Sequence, residues 1–311
     1  MSSVIEVDKL SKHFGTRVAV DELSFSVRQG EIYAFLGQNG AGKSTTIRML
    51  LSLVRPSGGE ISLLGLDLRT QRREILRQVG AVIESPNLYG YLSAYENLSL
   101  FARLSGVRVT KKKLLEQLEQ VGLAERAGGK VKTFSQGMKQ RLGIAVALVH
   151  DPVLIILDEP TNGLDPQGIA DVRNLILDLG RRQGKTILIS SHLLSEVEVI
   201  ADKILIIDRG KKMKEGPVGE LLHPRGMLVE LQTLNPELSE QIISAGQWAR
   251  FLQRRQDGLY IFALDKQQIP ALATDLSAQG VQILGIQPRH SLEDYFLSLT
   301  TASQHVESFA N

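Results

Sequence analysis

The stretch GQNGAGKST, Gly37–Thr45, sits between the apolar run IYAFL and the segment TIRML. It fits G-x-x-x-x-G-K-[ST] after a predicted strand and before a predicted helix, the arrangement of a phosphate-binding loop. Gly40 and Gly42 let the backbone curl so that its N–H groups converge on phosphate oxygens. Gly37, Asn39, Ala41 and Thr45 complete the cradle, and the helix opening near Lys43 turns its positive dipole end toward it. Lys43 has the reach for β- and γ-phosphates, and Ser44 offers a hydroxyl to Mg²⁺.

Such a loop needs a second metal-side oxygen at the end of a neighbouring strand, and VLIILDEP, Val153–Pro160, supplies Asp158 after a fully apolar run. On an extended backbone the next residue, Glu159, points the other way, which frees it to orient or deprotonate an attacking water. In isolation an acidic pair after a strand is a common loop start; beside a phosphate loop it reads as a site. TILISSHLLSEVE, Thr186–Glu198, ends another apolar strand on His192, placed to face the same edge as a γ-phosphate contact.

The rest of the chain bounds this reading. The 311 residues are 43% hydrophobic and 23% charged, an ordinary globular composition large enough for two domains. A net charge of +2 does not argue for nucleic acid, and none is expected as a partner; Lys111–Lys113 and Lys211–Lys212 read as solvated faces. Without cysteine there is no disulfide or thiolate chemistry. Glu6 and Asp8 interrupt the N-terminal stretch, so no export signal is expected. The longest apolar region, Leu142–Leu157, is broken by His150, Asp151 and Pro152, short of the roughly 20 residues that cross a bilayer.

Short β-rich runs (Val4–Val7, Phe25–Val27, Ile32–Leu36, Val153–Leu157, Thr186–Ser190, Lys203–Ile207) alternate with helical segments up to about residue 222. Their continuous apolar character predicts an α/β core around a sheet buried on both faces. Over about 70–143 the strand signal fades and helices take over, including Ala94–Leu104 and Lys111–Val121, so a helical lobe is expected as an insertion. EGPVGELLHPRG, 215–226, marks a break. Beyond it, over 227–311, the order of strand (227–232), helix (236–245), strand (249–253), strand (259–264), helix (268–278) and strand (281–287) predicts a small ferredoxin-like α+β appendage. A short helix at 291–299 is expected to end it.

FSQGMKQR, Phe134–Arg141, opens a further helix with Ser135 as its cap. It presents a small hydroxyl, a glycine and a helix N-terminus, but no lysine or carboxylate to go with them. The ordered set GQNGAGKST, FSQGMKQR, LDEPTNGLDP and SSHLLSE resembles the nucleotide-binding subunits of ATP-binding cassette (ABC) transporters, over residues 1 to about 222. The resemblance implies a P-loop NTPase cassette, a mixed-sheet core with an inserted helical lobe, that hydrolyses ATP with Mg²⁺. It also implies a head-to-tail dimer in which Ser135 and the amide of Gly137 complete the site built on Lys43 of a second copy, and an integral membrane permease as partner. The expected location is then peripheral, on the cytoplasmic side of the cell membrane.

By the same resemblance, Phe14 in KHFG matches the aromatic that stacks on adenine, against the alternative of a core phenylalanine beside Val18. Asp165 in NGLDP matches the carboxylate that communicates between the two sites. Glu84 stands where the family commonly has a glutamine, so a carboxylate would take over a metal or water contact there. Gln136 and Met138 replace the usual Gly and Gln of the signature, which leaves a low-turnover, ATP-gated scaffold as a second reading. The cluster Leu88, Tyr89, Tyr91 and Leu92 either lines a groove for the permease or packs the helical lobe. PRHSLEDYFLSLT, Pro288–Thr300, resembles the tail of drug, bacitracin and lantibiotic-type exporter ATPases. A soluble cassette working on ribosomes or DNA is the rival, disfavoured by the single phosphate loop and the roughly ninety residues between it and the signature.

Overall fold

The computed structural model describes residues 3–222, 227–256, 258–265 and 267–289. These divide into two compact units after Val218. The helix expected at 291–299 and most of the tail that begins at Pro288 lie outside the described residues.

In the first unit the elements run β1 (Ser3–Phe14), β2 (Arg17–Arg28), β3 (Ile32–Leu36), α1 (Lys43–Leu50), β4 (Gly58–Leu63), β5 (Leu66–Asp67), α2 (Arg72–Leu76) and β6 (Val79–Val82). They continue through α3 (Ala94–Leu104), α4 (Lys111–Gln120), α5 (Gln136–Leu148), β7 (Leu154–Asp158), α6 (Pro166–Leu177), β8 (Thr186–Ser191), α7 (Leu194–Ile200), β9 (Lys203–Asp208) and β10 (Lys211–Pro217). A short α8 (Val218–Leu222) follows.

A six-stranded sheet of order β10-β9-β3-β8-β7-β6 forms the centre; only its edge strand β10 runs antiparallel. Every residue of β3, β7 and β8 is buried, as expected of strands covered on both faces. An antiparallel sheet of order β2-β1-β4-β5 packs its apolar face, including Ile5, Leu10, Leu23 and Leu63, into the same core as Phe35, Ile47 and Ile156. The sequence pattern marks only the inner ends of β1 and β2, because their outer residues alternate with exposed ones.

The interval 70–143, expected to be helical, also contains β6, the edge strand of the central sheet. Only four residues long and with Gly80 inside it, β6 gives little β signal. Gly80 is required there because a Cβ would lie 2.2 Å from the Ala147 carbonyl oxygen of α5. Helix α3 starts at a capping box, with the Glu96 N–H donating to Ser93 Oγ and the Ser93 N–H to the Glu96 carboxylate. The buried Asn97 of that helix binds both the N–H and the C=O of Tyr89, fixing the loop that carries Tyr89 and Tyr91.

The second unit contains β11 (Met227–Thr233), α9 (Pro236–Ala245), β12 (Leu252–Gln256), β13 (Leu259–Leu264), α10 (Gln268–Ala278) and β14 (Ile283–Arg289). Its antiparallel order β12-β13-β11-β14 is that of the split βαβ ferredoxin-like arrangement. The core joins Val229, Leu231, Phe262, Leu272 and Leu276. One expected strand begins later than the pattern indicates: Ala249–Phe251 forms a 3-10 turn and β12 starts at Leu252. The preceding Trp248 is buried and donates its indole N–H to Asp275 at 2.7 Å, which anchors the chain before the strand starts.

Candidate nucleotide site

Strand register assembles the site. In the parallel sheet Leu36 at the end of β3 lies opposite Ser191, and Asp158 at the end of β7 lies opposite Ser190. Three strands therefore deliver the phosphate loop, the Asp158–Glu159 pair and Ser190–His192 to one edge, where parallel α/β sheets bind their ligands.

The loop depends on its glycines. Gly42 has φ 108, and a Cβ on it would stand 2.7 Å from the Ala19 carbonyl oxygen. At Gly37 a Cβ would meet the Ile207 carbonyl oxygen at 2.4 Å. The chain thus closes on β9 and β2 at a distance that only glycine permits. Lys43 is 4% exposed, and its Nζ donates to the carbonyl oxygens of Gly37 at 2.6 Å and Gln38 at 3.2 Å. Phe14, Asn39, Gly40, Ala41 and Gly42 line a depression of about 300 Å³ together with Lys43, Ser44, Thr45 and Glu159.

Asp158 is fully buried. Its Oδ1 accepts from Ser44 Oγ at 3.2 Å and from Ser190 Oγ at 2.5 Å, while its Oδ2 has no partner. A buried carboxylate oxygen with nothing bound to it is costly, and a hard cation beside Ser44 relieves that cost. The donor set, one hydroxyl and one carboxylate, fits Mg²⁺ shared with phosphate oxygens. Among the described residues no cluster of three or more acidic, His or Cys side chains forms a separate metal site.

Glu159 differs from the sequence expectation in how it reaches its place. Its backbone is not extended but left-handed, with φ 49, and this turn brings its carboxylate over the loop. Oε1 lies 3.1 Å from Lys43 Nζ and Oε2 lies 2.7 Å from His192 Nδ1, so one carboxylate joins the loop lysine to the strand-end histidine. The Glu159 N–H donates to Ser190 Oγ, the same hydroxyl that donates to Asp158, which locks the two acids relative to each other.

Phe14 is 51% exposed at the mouth of the depression and has Lys12 Nζ 4.8 Å from its ring centroid, so it is not a core residue. Ser135, Gly137 and Asp165 do not line that depression. Ser135 caps α5, accepting from the Met138 N–H, and Gly137 is buried against Gly168 of α6. Asp165 caps α6 through the Gly168 N–H. Glu84 is not drawn to Ser44 and Asp158 either. It has φ 56, its side chain is 65% exposed, and its carboxylate is bound by Arg48 of α1.

Sequence reasoning missed Ser190, whose only signal is its place before His192 in ISSH, and Arg17. The Arg17 guanidinium lines the depression near Gly40 and has no hydrogen-bond or ionic partner among the described residues. It also missed Glu196, buried on α7 and accepting from Thr161 Oγ1 at 2.5 Å, a contact that ties the segment after Glu159 to the helix after His192.

The comparisons agree with this geometry. The family described as "ABC transporter" matches residues 20–162. The bacitracin transport ATP-binding protein BcrA of Bacillus licheniformis is 42% identical over 300 residues, covering 96% of this chain and 98% of its own. The lantibiotic transport ATP-binding protein SrtF of Streptococcus pyogenes is 44% identical over 212 residues, 68% of this chain and 90% of its own. Among solved structures, cbiO1 of Clostridium perfringens, part of the ABC transporter complex cbiONQ, superposes with a TM-score of 0.64 at 27% identity. That match covers 71% of this chain and 91% of cbiO1. With a phosphate loop, a buried carboxylate and a Lys–Glu–His chain on one sheet edge, and relatives matched over nearly their whole length, the chain belongs to the ATP-binding proteins of ABC transporters and is an ATPase.

Proposed function

We propose that the chain is the motor subunit of an exporter and works as a head-to-tail dimer on a separate membrane permease. The observation that carries the catalytic part is the Lys43–Glu159–His192 chain above the unpartnered Oδ2 of Asp158. Phe14 stacks on the adenine, Arg17 neutralises a phosphate at the mouth, and the loop amides from Asn39 to Thr45 cradle the β- and γ-phosphates. Ser44 and Asp158 hold Mg²⁺, which when bound offsets charge on the β- and γ-phosphate oxygens.

The γ-phosphate replaces Glu159 as the counter-charge of Lys43. Oε1 of Glu159 then turns to an in-line water and accepts its proton as the water oxygen bonds to the γ-phosphorus. The bond from that phosphorus to the β–γ bridging oxygen breaks, with ADP as the leaving group. His192 keeps Oε2 in place through Nδ1 and directs its other ring nitrogen to the γ-phosphate. Ser135 and the Gly137 amide of the second copy supply the remaining donors at a helix N-terminus, and Asp165, beside Gly168 and Gly137, sets the spacing between the two half sites. Glu84, at the surface, acts in coupling rather than in metal binding. The bacitracin and lantibiotic relatives are named for transport and a further relative, of Ralstonia nicotianae, for Nod factor export, which supports export as the direction. A peripheral place at the cytoplasmic membrane face goes with that reading. Among the described residues no helix is long and apolar enough to cross a membrane, so a bilayer-crossing path is assigned to the partner. Tyr89, whose backbone Asn97 holds, and Tyr91, whose ring lies 5.9 Å from that of Tyr89, are both exposed and form the surface that receives it.

The test is affinity purification of the Glu159→Gln chain with Mg-ATP from gently solubilised native membranes. A multi-span membrane protein in stoichiometric amount supports the proposal. A ribosome or soluble complex with no integral membrane partner refutes the machine while leaving the motor intact.

A further inference from the structure

A second charged cavity lies at the opposite end of the central sheet from the nucleotide depression. It is an open cleft of about 780 Å³ lined by Arg72, Arg73 and Arg77 on one side and by Ser105 and His150 on the other. Strand β6 starts two residues after Arg77 and β7 starts shortly after His150, so the cleft stands where these strands enter the sheet, whereas Asp158 ends β7.

The arginines are not an ordinary solvated face. Some cations of this unit are paired, as Arg181 is with Asp202 and Lys185 with Asp151, and others, such as Arg103 and Lys132, carry no ion pair among the described residues. What sets this group apart is that three unpaired arginines line one cleft. Arg72, Arg73 and Arg77 make no ion pair or hydrogen bond among the described residues, and no acidic side chain lines the cleft. At about 100° per residue, Arg72, Arg73, Leu76 and Arg77 fall on one side of α2, the side that lines the cleft. Glu74 falls outside that arc and Ile75 turns into the core. Arg73 and Arg77 are four residues apart, a like-charge spacing that weakens a short helix. Arg72 also lines an adjoining cavity of about 560 Å³ with Arg55 and Arg69, so the positive surface is continuous.

His150 completes the cleft without adding charge. Burial holds its imidazole below the usual histidine range, its Nε2 donates to the Val79 carbonyl oxygen, and its Nδ1 has no partner.

We propose that this cleft binds a phosphate-bearing anion, either free or as the headgroup of an anionic lipid. Three guanidinium forks with no counter-charge match a multiply charged group with several acceptor oxygens better than a single carboxylate, which would leave most of the positive charge unbalanced.

The test titrates inorganic pyrophosphate into the full-length chain with excess Mg-ADP filling the phosphate loop. The wild type is compared with the Arg73→Gln/Arg77→Gln double variant and with the charge-retaining Arg73→Lys/Arg77→Lys variant. A parallel arm measures co-sedimentation with vesicles of phosphatidylcholine alone and of equal parts phosphatidylcholine and phosphatidylglycerol. Saturable binding that the Gln variant weakens by about tenfold or more, with the Lys variant in between and ATPase activity equal in all three, supports the proposal. Loss seen with pyrophosphate identifies a free anion, and loss seen only with phosphatidylglycerol vesicles identifies a headgroup. Equal binding by all three chains in both arms, or no binding by the wild type in either, overturns it.

Discussion

The loop around Lys43 and the helix start at Ser135 both present phosphate-binding features, yet one is densely tied and the other is not. At the loop, Lys43, Glu159, His192, Asp158, Ser190 and Ser44 form a continuous set of contacts at 2.5–3.2 Å within one chain. At α5, among the described residues, the Ser135 side chain bonds within its own helix start, and a Cβ on Gly137 would meet the backbone of α6. The first region is a site whose lysine, glutamate and histidine are already tied to one another, with Asp158 Oδ2 left open. The second has no acceptor of its own, and in the proposed head-to-tail dimer a second copy of the chain supplies one in a closed two-fold arrangement.

The largest effect that can break this contrast is at Glu159. Glu159→Gln keeps the shape but removes the proton acceptor, so phosphate release should fall by about 10²–10⁴-fold while ATP binding persists and dimers accumulate. A near-wild-type rate in a phosphate-release assay would remove Glu159 from the chemistry. Ser135→Asp comes next. Asp caps a helix as well as Ser does, so α5 stays folded, but its carboxylate would face the incoming phosphate. Hydrolysis should drop by about a hundredfold with nucleotide binding to the single chain unchanged, as read by fluorescence titration. Equal loss of binding would place Ser135 in its own chain's site.

Lys43→Ala tests the tied region directly, with nucleotide affinity expected to weaken by about tenfold to a hundredfold in equilibrium titration. Phe14→Ala should weaken adenine nucleotides by about two- to tenfold and leave inorganic triphosphate unaffected, because only the base stacks. Smallest is Glu84→Gln. The Arg48 pair is exposed and contributes about 0–1 kcal/mol, so thermal stability and basal hydrolysis should stay close to wild type. A large loss of basal activity would return Glu84 to the metal site.

The same contrast explains what the sequence made legible. Lys43, Ser44, Asp158 and His192 could be read because each stands at the end of an apolar strand or in a contiguous loop, where local pattern and chemistry coincide. The ferredoxin-like order of the second unit was readable for a similar reason, since each element carries its own period. Ser190 and Arg17 were not, because their importance comes from strand register and from a hairpin folding back over the loop. The position of Glu159 was right for a wrong reason. Alternation along an extended strand was expected to turn it away from Asp158, whereas a left-handed backbone does so and brings it to Lys43. Glu84 shows the reverse. A position aligned with a family motif leaves unseen the arginine that binds it, four residues into α1 after Ser44. Short β6 was hidden because its pairing with β7, rather than a pattern of its own, makes it a strand.

The most direct measurement mixes Lys43→Ala and Ser135→Asp chains in equal amounts and follows phosphate release. The ATP concentration is one that fills the wild-type loop but not the Lys43→Ala loop, so that each chain alone is inactive for a different reason. In a head-to-tail dimer the mixed pair places the intact loop of one chain against the intact Ser135 of the other. Activity should therefore recover to about a quarter of wild type, since half of the dimers are mixed and each has one whole site. If the mixture releases no more phosphate than the two chains measured separately, Lys43 and Ser135 do not meet across an interface, and the two regions do not form one site.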